Sequence, residues 1–231
     1  MGVSLTKGQT ISLTKQANDK LTEVVVGLGW QAANPKSNKE VASTEGTETN
    51  FFKRFAKKVK GYVSDEIETA KVVDIDCDAV AYVVDSDNNI DMVYFGDKKH
   101  SSGCITHMGD NLVGSNEADA EKHVEAEQIV MDLENLSSKY KEIVVGVNVF
   151  RAYEKKQHFG MIDNSFIRVT DSKTHKVLCE FDLSSEGYND MTGMVFGKLV
   201  RKDGDWEFKA MGDGYRVRDL DELKYKVQYS A

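Results

Sequence analysis

Short apolar runs of strand composition recur along nearly the whole chain, and no helical stretch alternates regularly with them. Residues 3–13 alternate apolar and polar on both sides of a glycine turn and read as two short strands. Residues 23–30 follow as a buried, β-branched run ending in Trp30, which reads as core. Further strands are expected near 80–84, 91–95, 104–107, 127–133, 143–150, 165–170, 177–183, 194–200 and 206–210. Eighteen glycines against one proline mean that Gly, Asn and Asp make the turns. Leu220, Leu223 and Val227 fall at helical spacing and predict a short C-terminal helix. Many short strands without βαβ alternation predict an all-β chain, an antiparallel β-sandwich with short helical additions.

The chemistry concentrates where one strand begins. Asp74, Asp76 and Asp78 alternate with Ile75, Cys77 and Ala79, and an apolar run follows at once. With a period of two, the three carboxylates share one side. Like charges so placed repel unless a cation sits among them. The alternative is a solvated acidic strand end. From Asp74 to Glu134 there are fifteen Asp and Glu against three Lys and no Arg, a net charge of −12. The whole chain carries −8, so the remainder is net positive by 4.

An EF-hand loop does not fit this run. Ala79 stands where that loop needs glycine, and Asp85 where it needs a bidentate glutamate. A site at one end of the sandwich fits better, with Asp110 and Asn111 from one loop and Glu125 and Glu127 from another. Calcium suits such a site because it accepts six to eight oxygens in loose geometry. No His/Cys cluster favours zinc, and His100 and His107 read as surface or strand histidines.

Other classes are excluded or left without support. An isoelectric point near 5.2 argues against general nucleic-acid binding. The chain has no nucleophile elbow, P-loop or dinucleotide fingerprint. Carboxylate density alone leaves a metal-dependent phosphoester hydrolase as an alternative, with no nucleophile or base to name. Cys77, Cys104 and Cys179 are far apart and fit reduced thiols, with Cys77 and Cys179 buried in apolar strands. The first residues hold no apolar signal region, and no run is long enough to span a bilayer.

Residues 31–73 differ from their surroundings. A polar stretch of linker composition leads to residues 50–63, where Phe52, Phe55, Val59 and Tyr62 form one apolar stripe. Lys53, Arg54, Lys57, Lys58 and Lys60 supply a cationic face. A basic, aromatic helix at about 51–63 can lie on an anionic membrane or dock on an acidic partner. The commoner case is an amphipathic helix packed on its own domain.

Several segments together resemble the TerD family of tellurium-resistance and general stress proteins. They are Ser4 to Gly8 with Ile11 to Leu13, Gly27 to Trp30, Asp74 to Ala79, and His107 to Gly114. Glu127 with Asp132 and Leu133 continues the series, then Phe159-Gly160, Asn164 to Val169, Phe196-Gly197 and Trp206 to Ala210. The resemblance implies one β-sandwich domain over residues 1–231, with 31–73 as an insertion. It implies calcium held by Asp74, Asp76, Asp78, Asp110, Asn111 and Glu127, with Glu125 a further candidate separated by Ala126. It implies no catalytic activity and a cytoplasmic stress-response role, with other tellurium-resistance-type proteins as partners. A calcium-tuned module docking through the 51–63 helix, peripheral at the inner face of the membrane, is the alternative.

Overall fold

The computed structural model describes residues 2–17, 20–32, 75–109, 125–183 and 187–229. Twelve strands among them form two six-stranded sheets. Sheet A runs in the order β1 (Val3–Leu5), β10 (Val177–Leu183), β9 (Ile162–Asp171), β3 (Glu23–Ala32), β7 (Glu127–Asp132) and β6 (Ile105–His107). Sheet B runs β2 (Thr10–Ser12), β12 (Asp205–Tyr215), β11 (Gly193–Lys202), β8 (Tyr140–Val149), β4 (Cys77–Asp85) and β5 (Ile90–Tyr94). Every pairing is antiparallel except β1 with β10.

Period-two alternation builds the core between the sheets. Val24, Val26, Leu28 and Trp30 of β3 meet Cys77, Ala79, Ala81 and Val83 of β4 in one buried cluster. The intervening residues of β4, Val80, Tyr82 and Val84, turn outward. They form a second cluster with Leu220, Leu223 and Val227 of helix α3 (Leu220–Tyr229). Strand β4 is therefore covered on both faces, which is why its apolar run is continuous rather than alternating. The C-terminal helix expected from those three residues is present, and its apolar stripe is the cover of sheet B.

The two N-terminal strands lie in different sheets. Gly8, at φ +86, makes the turn, and its N–H donates to the Ala210 carbonyl at 2.8 Å. Strand β12 continues five residues past the expected end. Val195 pairs with Asp213 and Gly197 with Ala210, so Met211 and Gly212 form a bulge opposite Phe196. Gly212, at φ +63, carries the carbonyl that accepts from Lys7 Nζ and Tyr188 Oη, at 2.9 and 2.8 Å.

Three short helical pieces lie outside the strand pattern: α1 (Leu13–Gln16), α2 (Ala152–Lys155) and a 3-10 turn at Phe159–Met161. Strand β3 runs through Ala32, so the first two residues of the expected insertion are strand. The remainder of it, with the expected basic helix, lies outside the described residues. No helix among the described residues is long and apolar enough to cross a membrane.

Candidate functional site

Asp78 lies in β4, and its side chain shares the outward parity of Val80 and Tyr82, away from the core. Asp76 comes just before the strand and extends the ladder, since the Phe150 N–H donates to its carbonyl at 2.9 Å. Both are buried, at 8% and 5% exposure for Asp76 and Asp78. Trp30 Nε1 donates to the Ile75 carbonyl at 3.3 Å and fastens this approach to the end of β3. Lys155 Nζ, from α2, stands 3.8 Å from Asp76 Oδ2 and 5.2 Å from the Phe150 ring centroid. Arg151 and Lys156 flank α2 with left-handed backbones at φ +55 and +53.

Glu127 opens β7 on the core side of sheet A. Its Oε2 accepts from the backbone N–H of Ala79 in sheet B at 2.7 Å. His107 Nε2 lies 3.6 Å from the same oxygen, and both side chains are fully enclosed. The Gly109 N–H donates to His107 Nδ1 at 3.2 Å, so that nitrogen accepts and the ring proton sits on Nε2, facing Glu127. His107 is a strand histidine, the last residue of β6, and both it and His100 are buried. His100 is held between Asp91 and Ser102 and packs edge-on against Tyr140.

Cys77 marks how close these acids come. Burial pushes its thiol well above its ordinary value, and the charges of Asp76, Asp78 and Glu127 raise it further, with Lys155 opposing. Cys77 and Cys179 are buried, as expected from their apolar strands, and Cys104 is half-buried.

Glu125 stands elsewhere. Gln128 Nε2 donates to its Oε2 at 2.7 Å, and Arg168 Nη1 lies 3.5 Å from its Oε1. Gly27, Gln128 and Arg168 are register partners, with outward parity on sheet A. The Glu125 carboxyl fills the space a side chain at Gly27 would take, 2.0 Å from an ideal Cβ. Glu125 and Glu127 therefore approach sheet A from opposite faces.

Asp74, Asp110 and Asn111 lie outside the described residues. Among the described residues, no three His, Cys, Asp or Glu side chains converge as a metal's ligands would. The structure brings Asp76, Asp78 and Glu127 around Cys77 and adds Lys155, His107 and Asn148, which the sequence reading did not select. Asn148 had a legible signal, as the lone amide in an otherwise apolar strand.

The TerD domain family matches residues 1–226. Stress response protein SCP2 of Bacillus subtilis (strain 168) is 31% identical over 226 residues, 96% of this chain and 98% of that one. Tellurium resistance protein TerX of Serratia marcescens is 32% identical over 223 residues, 92% of this chain and 93% of that one. A crystal structure of a TerD homologue from Streptomyces coelicolor A3(2) superposes with a TM-score of 0.56. It covers 88% of this chain and 98% of that one, at 17% identity, and bears on the fold alone. With similarity running nearly end to end, this chain belongs to the TerD family.

Proposed function

We propose that this chain is a calcium-binding, non-enzymatic module of tellurium resistance and general stress response. The observation that carries the reading is the burial of Asp76 and Asp78 at the start of β4, with buried Glu127 reaching the same strand from the core side. Enclosing carboxylates is costly unless cations or hydrogen bonds compensate. Lys155 Nζ stands 3.8 Å from Asp76 Oδ2, and the Ala79 N–H donates to Glu127 Oε2, so cationic and hydrogen-bonding groups already gather at these acids. The proposed donors are these three acids with Asp74, Asp110 and Asn111. Glu125 already has Arg168 and Gln128 as partners, so the proposal does not depend on it. Bound calcium would supply positive charge among the acids and tie neighbouring strand ends together. The relatives' names support the stress and tellurium context.

Calorimetric titration of calcium into metal-stripped protein tests the reading, with magnesium as control. Saturable calcium heat with a weak magnesium response is expected. At a hundredfold excess over its dissociation constant, calcium should stabilise the fold by about 2.7 kcal/mol. Asp76→Asn and Asp78→Asn should each lose most of that gain. Absence of both heat and thermal shift in the wild type would remove calcium from the account.

A further inference from the structure

We infer that Ser102 is an activated nucleophile, with His100 as its base, that takes an acyl group from an activated ester. The inference is independent of the calcium reading. It concerns one covalent transfer per chain, a modification rather than a turnover.

Ser102 stands in the turn that leads from residues 98–100 into β6. There Lys99 bridges Thr106, and the His100 N–H donates to the Ile105 carbonyl at 3.0 Å. Gly103, at φ +76, lets the turn close, and its N–H donates to the His100 carbonyl at 2.8 Å. Ser102 is thereby folded back onto the His100 ring. The Ser102 N–H donates to Nδ1 at 3.2 Å, so that nitrogen is the acceptor and the ring proton sits on Nε2. Nε2 lies 3.2 Å from Asp91 Oδ2 on β5 and donates to it. Ser102 Oγ lies 2.8 Å from Nδ1 and points its own proton there. Among the described residues, only Ser102 and Asp91 bond the ring nitrogens.

A hydroxyl on one imidazole nitrogen, with a carboxylate orienting the other, is the arrangement that makes serine nucleophilic, wherever its members fall in a chain. The base is fixed in place, since the His100 side chain is 1% exposed and packs edge-on against Tyr140 at 4.9 Å. Ser102 is exposed, so a donor can reach Oγ. The Cys104 N–H donates to Oγ at 3.2 Å and steadies the negative charge that grows there. Lys99 crosses the same turn, with Cε 3.9 Å from where a Cβ at Gly103 would stand. It brings a cation towards the carbonyl oxygen that gains charge during attack. In the transfer, the bond from Oγ to the carbonyl carbon forms as the bond to the leaving oxygen breaks. The hydroxyl proton passes to Nδ1 and on to the leaving oxygen, while Asp91 balances the imidazolium charge.

The test uses a fluorophosphonate, which resembles the tetrahedral form of an acyl donor and stays attached. Oγ displaces fluoride from phosphorus, and peptide mass mapping locates the label. In wild type, Ser102 should react about a hundredfold faster than Ser101, its exposed neighbour in the same turn. That comparison needs no variant to fold. Ser102→Ala should leave the turn unlabelled. His100→Gln keeps an acceptor for the Ser102 N–H but supplies no base, and should slow labelling about a hundredfold. Asp91→Asn should slow it about tenfold without moving the thermal midpoint, which separates orienting the base from holding the fold. No label at Ser102, equal labelling of Ser101 and Ser102, or a His100→Gln chain that labels as fast as wild type would overturn the inference.

Discussion

The Glu127 carboxylate in sheet A accepts a hydrogen bond from the backbone N–H of Ala79 in sheet B, at 2.7 Å and out of contact with solvent. This bond joins the two layers at the acidic end, where β4 leaves its ladder with β5. Glu127→Gln removes the charge but keeps an oxygen acceptor, whereas Glu127→Ala leaves the Ala79 N–H buried without one. Urea unfolding without calcium should find the alanine variant about 1–3 kcal/mol less stable than the glutamine variant. Equal midpoints at equal slope would mean that the bond contributes nothing to layer pairing.

The bulge in β12 makes a second prediction. Gly212 holds φ +63, and a Cβ there would stand 3.1 Å from the Phe181 ring and 3.2 Å from Tyr188 Oη. Gly212→Ala should cost about 1–2 kcal/mol from backbone strain and crowding together. Lys7 and Tyr188 both bond the Gly212 carbonyl, so their loss should cost less in the alanine background than in wild type. Thermal unfolding of the double-mutant cycle measures this, and strict additivity would argue that the bulge keeps its shape.

How much of this was legible depends on the distance over which each feature is determined. The parity of β4 was legible, because alternation along a strand is local, and it placed Asp78 with Val80 and Tyr82 on one side. Glu125 and Glu127, expected together on one loop, are separated because β7 begins at Glu127, which turns to the core side while Glu125 stays outside the strand. The pairing of β1 with β10 joins residues about 175 positions apart, and nothing in residues 3–12 announces it. Helix α2 was not legible either. Four residues carry no apolar stripe, and its N-cap, Arg151, makes no side-chain cap bond.

The buried thiols predict an alkaline limb. Burial pushes Cys179 up from 9.0 to about 12 and pushes Cys77 well up from the same starting value. Burial raises the Tyr82 hydroxyl as well. In each case the folded chain holds a proton that the unfolded chain gives up sooner. This stability is therefore whole below about pH 9 and falls progressively as pH rises towards about 12. Between pH 8 and pH 10 the loss should be about 1 kcal/mol per thiol. Urea midpoints across that range check it, and a flat profile would show that the thiols are not protected. Cys104, half-buried, should react with a thiol reagent in native protein before either of the others.

Helix α3 should contribute strongly to the stability of sheet B. Leu223 is fully buried against the outward side chains of β4, and Tyr82 donates its hydroxyl to the Leu220 carbonyl at 2.7 Å. Leu223→Ala should cost about 2–5 kcal/mol, because its neighbours are strand residues with little freedom to collapse into the space. Tyr82→Phe keeps the ring and loses the bond, so about 1 kcal/mol is expected. Gly146 provides the room for both, since a Cβ there would lie 3.1 Å from Leu223 and 3.2 Å from Tyr82. Adding that methyl in Gly146→Ala should therefore be tolerated better beside Leu223→Ala than beside wild-type Leu223. Urea unfolding of the two singles and the double decides it. If the double variant loses the full sum, the helix does not pack through Leu223 as described.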